Sequence, residues 1–236
     1  MIDIHAHILP GIDDGPGSLV DCVAIVRELA EQGVTDIIAT PHYVADTIYN
    51  STRFQNSKLL KELQKALNTE GIGVNVYLGN EIYIDKDILE FLKKRKISAL
   101  NNSKYLLIEL PMDGEFPNYE DYFLELLNKG YKVVLAHPER YAIVNENFEV
   151  VQNLHEMGVL LQCNLGSITG KYGRSVKKTI KRIAKEKMIF AFGSDIHHLE
   201  GPDFVRSAQK KLSKIYSEKE LKQLLVDNPS KILATR

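Results

Sequence analysis

The sequence predicts an α/β fold, a single barrel in which parallel strands alternate with helices, and three observations predict it. Apolar runs of strand length recur, each followed by a segment of helical spacing, and such alternation means parallel strands joined by right-handed crossovers. The strand cores are continuous apolar runs (VVLA, YLLI, FAF), as expected when helices cover one side and a packed interior the other. No Gly/Ser- or Pro-rich linker, low-complexity tract or repeat beyond the βα unit divides the 236 residues, so one domain over 1–236 is expected, a length that α/β barrels reach. An open doubly wound sheet would carry a Gly-rich phosphate loop after its first strand, and this chain has none.

The elements follow in order. MIDIHAHILPGIDD, residues 1–14, is a strand that turns through Pro10-Gly11. Residues 18–32 space their apolar side chains helically, with Ser18 as N-cap and Gly33 as the stop. VTDIIATPH is a strand ending at His42, and a long helix over 54–69 follows. GVNVYLGNE is a strand ending at Glu81, and 85–94 a short helix. YLLIEL carries Glu109 near its end, and 118–128 is helical. YKVVLAHPER ends its strand at His137, and 147–157 is helical. VLLQCNLG is the sixth strand, its loop holding Asn164 and Ser167, and 174–187 is a basic amphipathic helix. IFAFGSDIHH ends its strand at Asp195, with His197 just beyond; helices to about Leu225 finish the chain. This makes seven strands.

Composition narrows the function. A formal net charge of −1 argues against a nucleic-acid binder, which carries a basic excess. No run of about 18 apolar residues is present, so no membrane span is expected. The N-terminus lacks a basic segment followed by an apolar one, so no secretory signal is expected and the cytoplasm fits. Cys22 and Cys163 sit far apart in apolar surroundings and read as buried thiols, not a disulfide or a nucleophile.

Polar residues recur in one slot. In a strand, positions i and i+2 share a face, so His5 and His7 project together at a spacing suited to one metal ion. In α/β barrels the active site lies at the C-terminal strand ends. His5, His7 and Asp14 belong to the first end, His42 to the second and Glu81 to the third. Glu109 belongs to the fourth, His137 to the fifth, and Asp195 and His197 to the last. A catalytic zinc commonly takes three protein ligands, so this set implies two or three ions sharing carboxylates. Cations also relieve the repulsion among acids packed so densely.

The chain has no phosphate-cradling glycine loop, no Ser-His-Asp order and no Cys-x5-Arg loop. The expected nucleophile is a metal-bound water, which a pair of ions about 3.5–4 Å apart can deprotonate while clamping an in-line displacement. Arg140, just past His137, offers a planar fork for phosphate oxygens. A His and carboxylate site without thiolate admits manganese, iron, zinc or cobalt.

His5-x-His7, His42, Gly79-x-Glu81, His137-Pro138-Glu139-Arg140 and Gly193-Ser194-Asp195-Ile196-His197 resemble the motifs of the polymerase and histidinol phosphatase (PHP) superfamily. More narrowly, IDIHAHILPGIDDGP, ATPH, YLLIELP, HPER, GSDIH and DNPSKIL resemble the CpsB/CapC-type bacterial protein tyrosine phosphatases. The resemblance covers nearly the whole chain. It implies a distorted (β/α)7 barrel and a manganese-dependent phosphatase with a trinuclear site. The implied partner is the phosphotyrosine-bearing tail of an autophosphorylating tyrosine kinase that controls capsule or exopolysaccharide synthesis. His5, His7, Glu81 and Asp195 would hold one ion. Glu81 would bridge to a second, held with Glu109 and His137. Asp14, His42 and His197 would hold the third, and Arg140 would bind phosphate. The family often has a further arginine near the position of Gly201-Pro202; this chain lacks it, and Arg206 is the expected substitute. The alternative within the superfamily is a small-molecule phosphatase of the histidinol phosphate type. A non-catalytic module would have lost ligands, and this chain keeps each of them. The sequence is compatible with an oligomer and does not specify one.

Other residues are expected in lesser roles. Asp3 shares a face with His5 and could orient it. Asp13 reads as fixing its loop, His155 as surface or packing, and His198 as facing away from His197. Tyr43, Tyr49 and Tyr172 are expected near the mouth. The basic helix over 174–187 reads as a solvated face, with docking of an acidic tail as its functional alternative.

Overall fold

A computed structural model describes residues 1–113, 117–201 and 203–234. Strand β1 (Ile2–Ala6) is buried throughout and leads to α1 (Leu19–Glu31), capped by Ser18, whose hydroxyl accepts from the Asp21 amide. Then come β2 (Asp36–Ala39), β3 (His42–Tyr43), α2 (Arg53–Thr69), β4 (Asn75–Leu78), β5 (Glu81–Tyr83) and α3 (Ile88–Lys93). They are followed by β6 (Tyr105–Glu109), α4 (Tyr119–Asn128), β7 (Lys132–Ala136), α5 (Ala142–Glu146) and α6 (Glu149–Glu156). The chain continues through β8 (Leu160–Asn164), α7 (Leu165–Thr169), α8 (Gly173–Lys185), β9 (Ile189–Gly193) and α9 (Phe204–Leu212). It closes with α10 (Glu218–Lys222), a π-helical turn and α11 (Asn228–Ala234). Pro202, beside the position of the missing family arginine, and the last two residues of the expected domain lie outside the described residues.

The strands are parallel and form two sheets among the described residues, β1-β2-β4 and β3-β5-β6-β7-β8-β9. Two expected strands are each broken in two, so the seven expected strands appear as nine strand segments among the described residues. The second divides at Thr40-Pro41 into β2 and β3, because Pro41 has no amide to donate. Thr40 still holds β1, its amide donating to Ala6 O (2.9 Å) and its hydroxyl accepting from Ala6 N (3.0 Å). The third divides at Gly79, where a Cβ would meet Leu100 Cδ2 at 2.7 Å. At the other margin, Asp195 N donates to His5 O (2.8 Å) and His7 N to Ile196 O (3.0 Å), joining β1 to the segment after β9.

Strand alternation sorts the core. Ile4, Ile38, Leu107, Val134 and Ala191 pack with Leu100 and Ile232 of α11 in one cluster. Ile37, Leu106, Val133, Leu135 and Phe192 pack in a larger one that takes in the helices. Three local differences from the expected elements remain. Asn164 and Ser167, expected in a loop, are the N-cap of α7 and a residue within it, and the Asn164 amide and the Ser167 hydroxyl both donate to Glu139 Oε1. An unpredicted α5 precedes α6. Helix continues past Leu225 to Ala234, since Ile232 is fully buried against the strands.

Candidate metal centre

Glu81, fully buried at the start of β5, is where the expected residues converge. Its Oε2 lies 3.2 Å from His5 Nε2, 3.2 Å from His7 Nε2 and 3.1 Å from His42 Nδ1, and its Oε1 lies 2.9 Å from His137 Nε2. Asp195 Oδ1 stands 3.4 Å from His5 Nε2 and 3.6 Å from His7 Nε2. Glu109 approaches His42 and His137, each at 3.7 Å. Asp14 Oδ1 reaches His197 Nε2 at 3.2 Å and His42 Nε2 at 3.5 Å. Ligand atoms of His5, His7, Glu81 and Asp195 lie within 4.8 Å of one another, as do those of His42, Glu81 and Glu109, and those of His7, Asp14, His42 and His197.

Backbone geometry aims two of these groups. Alternation along β7 would send His137 with Val133 and Leu135 towards the helices. Its left-handed backbone (φ 32°) breaks that parity and turns the ring to Glu81. Asp195 is also left-handed (φ 52°). Strained backbone of this kind gathers at functional sites. Gly193 lets β9 approach β1 closely, since a Cβ there would lie 2.7 Å from His5 Cβ.

Outer partners fix the imidazoles. His5 Nδ1 donates to Gln162 Oε1 (2.7 Å), His7 Nδ1 to Asp13 Oδ2 (2.8 Å) and His197 Nδ1 to Asp195 O (3.1 Å). In its neutral form each of these rings therefore presents an Nε2 lone pair to the cluster, the arrangement found for metal-binding histidines. Asp13 does more than fix its loop: it also accepts from His42 N (3.1 Å) and Gly15 N (3.0 Å). Asp3 does not reach the His5 ring; its Oδ1 accepts from the amides of His5 (3.2 Å) and Ser194 (3.0 Å). The ring's partner is Gln162, whose Nε2 donates to Asn164 Oδ1 (2.9 Å), and Asn164 Nδ2 donates to Asp195 Oδ2 (2.6 Å). The sequence carries one signal for this amide chain, the pair Gln162 and Asn164 at i, i+2 inside an apolar strand.

The electrostatics answer to crowding. Burial opposes charge on His5, but Glu81 and Asp195 overcome it and raise its pKa. Burial likewise opposes charge on His7, yet Asp13, hydrogen-bonded to its Nδ1, and the Glu81 carboxylate close to its Nε2 raise it well above the usual range. His42 is lowered, chiefly by burial. Glu81 is held low against its burial by the surrounding imidazoles, whereas burial and the charges of Glu81 and Asp195 push Glu109 up to about 9. Asp195 falls to about 2 despite burial, because His5 and His137 favour its charge.

These residues fit cations. Glu81 Oε2 and His42 Nδ1 are buried and make no hydrogen bond although they lie close together. A buried carboxylate oxygen and imidazole nitrogens without protons to share are the atoms a cation satisfies.

A cavity of about 510 Å³ opens over the cluster, walled by Met112, Arg140, Lys171, Tyr172 and His198 besides the acids and histidines. Arg140 enters it, bound to Asp195 Oδ2 (2.7 Å) and stacked 4.5 Å from the centre of the Tyr172 ring. Arg206 does not substitute for the missing arginine there: it donates to Glu31 O at the end of α1, away from the cavity lining. The basic group that the structure puts there is Lys171, paired with Glu200. Tyr49 lies beside His42, with ring centres 6.0 Å apart, while Tyr43 is buried against Phe91. His198 has a side chain 72% exposed and pairs with Glu200 at the cavity wall, and His155 lies in α6, outside the cavity lining. Cys22 and Cys163 are buried and free, and burial pushes the Cys22 thiol up to about 12.

A family model described as capsular polysaccharide synthesis, CpsB/CapC, matches residues 1–234. The chain is 36% identical to the tyrosine-protein phosphatase YwqE of Bacillus subtilis over 99% of this chain and 91% of that one. It is 32% identical to the tyrosine-protein phosphatase CpsB of Streptococcus pneumoniae over 99% and 98%. It superposes with a TM-score of 0.92, at 35% identity over 99% of this chain and 94% of the other, on a crystal structure from work on YwqE and CpsB, described as unique metal-dependent tyrosine phosphatases.

Proposed function

The chain belongs to the CpsB/CapC capsular polysaccharide synthesis family, and on that premise we propose that it is a metal-dependent protein tyrosine phosphatase. Its substrate is the phosphotyrosine-bearing tail of a bacterial tyrosine kinase governing capsule or exopolysaccharide synthesis, and it acts in the cytoplasm. The two sheets, joined through the broken strands and at the β1–β9 margin, make one distorted (β/α)7 barrel and one domain. The observation that carries the reading is the convergence of His5, His7, His42 and His137 on the single carboxylate of Glu81.

His5, His7, Glu81 and Asp195 would hold one manganese ion, Glu81, Glu109 and His137 a second, and Asp14, His42 and His197 a third. Bound cations supply charge neutralisation and an activated water. The chain's own residues do the rest. Arg140 binds the phosphate oxygens through its planar fork. Tyr172 packs on the guanidinium and keeps it over the cavity. Gln162 and Asp13 hold His5 and His7 with Nε2 unprotonated.

The test is hydrolysis of an aryl phosphate, a phosphotyrosyl peptide and histidinol phosphate, alongside elemental analysis. Turnover of the first two, lost with a chelator and restored by manganese, supports the reading. Preference for histidinol phosphate, or no turnover by metal-loaded protein, sinks it.

A further inference from the structure

Helix α8 begins at the cavity wall and carries more positive charge than its surroundings balance. Its apolar face, Val176, Ile180 and Ile183, is buried. The opposite face carries Arg174, Lys178, Lys181 and Lys185 at intervals of four, three and four, which is one stripe along a helix. Lys177 borders it. Arg182 pairs with Glu186, and nearby Lys187 with Glu220. Among the described residues, none of the stripe cations or Lys177 forms a salt bridge, in a chain whose net charge is only −1.

The stripe is continuous with the catalytic mouth. Lys171 and Tyr172, immediately before α8, wall the cavity. Lys177 turns back towards them: a Cβ on Gly170 would lie 3.4 Å from its Nζ. From Arg174 to Lys185 the stripe runs about 16 Å at about 1.5 Å per residue, the length of about five residues of extended polypeptide.

We propose that this face of α8 docks acidic residues flanking the phosphotyrosine, giving the enzyme a preference for acidic segments; this rests on the phosphatase reading above. Charge complementarity selects the occupant, and its adjacency to the mouth makes that occupant part of the substrate. An anionic membrane fits less well, because the apolar face needed for insertion is already used in the core. Uncompensated lysines raise encounter rates with acidic ligands and do so less as salt rises.

The test uses phosphotyrosyl peptides of equal length with an acidic N-terminal flank, an acidic C-terminal flank, or neutral flanks, alongside a small aryl phosphate. At low salt at least one acidic peptide should exceed the neutral one in kcat/KM by about fivefold or more. The advantage should vanish in Lys178→Glu/Lys181→Glu and shrink in Lys178→Gln/Lys181→Gln, while aryl phosphate turnover stays at the wild-type rate. Equal turnover of all three peptides, or an advantage that survives both variants, overturns the proposal. So does binding to anionic vesicles that is lost in the variants while peptide turnover is unmoved. Wild-type protein inactive on the aryl phosphate as well would overturn the phosphatase reading instead.

Discussion

The Nε2 atoms of His5 and His7 face each other across 3.2 Å. Both Nδ1 atoms are committed as donors, to Gln162 and Asp13, so two neutral rings would point lone pairs at one another. Only a proton or a metal cation relieves that gap. A ligand that binds the folded state alone stabilises it, by about 2.7 kcal/mol at a hundredfold excess over Kd. For a chain of this length that is about 5–10 °C. Scanning calorimetry of manganese-loaded and chelator-treated protein should show a rise of that size; identical melting curves would count against a cation there.

Metal uptake should release protons. Glu109, raised to about 9 from its ordinary 4.5, and the raised His5 and His7 must give up protons to become ligands. Manganese added to weakly buffered metal-free protein near pH 7 should acidify the solution. A flat trace would contradict the electrostatics described.

The same groups set the pH dependence of the metal-free protein. A raised folded pKa stabilises below the unfolded value and is lost as pH climbs through the folded one. Glu109 therefore loses its stabilising proton between about 4.5 and about 9, and His5 and His7 act in the same direction above about 6.5. Glu81 and Asp195, held low, lose their contribution only in acid. Urea midpoints in chelator should fall from pH 6 to pH 9, and manganese should flatten that slope. A midpoint that rises over this range would refute the assignment.

Gln162→Leu removes the acceptor of His5 Nδ1 and cuts the amide chain to Asp195. Loss of such an outer partner typically costs about 10–100-fold in metal affinity or activity. Titration with manganese should show that weakening. Asp13→Asn, which can still accept from His7, should lose less than Asp13→Ala.

Arg140→Ala should lower kcat/KM for aryl phosphates by about 10²–10³, the size of losing one preorganised donor to developing charge. Arg140→Lys should recover little, because a point charge lacks the fork. Bound metal should remain near wild type in both, which separates phosphate binding from ligand damage.

Gly193→Ala puts a Cβ 2.7 Å from that of His5 and should destabilise by about 1–3 kcal/mol. It should also weaken metal binding by shifting His5. Gly17→Ala, where nothing lies within 4 Å, is the control and should leave metal binding unchanged.

The strand ends were legible because the motifs occupy the same slot in six of the seven expected βα units. His5, His7, His42, Glu81, Glu109, His137 and Asp195 are read from that repetition, and the structure brings them together. The helix limits were legible where a cap marks them, as Ser18 does for α1. What escaped depends on partners distant in sequence. At both breaks the chain passes from one sheet to the other, an exchange set by the neighbouring strands, although at the first Pro41 itself marks the place. Asp13 fixes its loop as expected, and its further hold on His7 and on the His42 amide comes from a turn that folds back onto them. Arg206 is near the motif in sequence but is carried away along α9. The backbone of His137 was invisible because a left-handed residue before Pro138 leaves no mark in residue type.

The sealed state of Cys22 and Cys163 has a physiological corollary. Phosphatases that rely on a reactive thiolate are silenced when peroxide converts it to a sulfenic acid. Here both sulfurs are enclosed in the core with their protons held tightly. Dephosphorylation by this protein would therefore persist through an oxidative burst that shuts down thiol-based signalling around it.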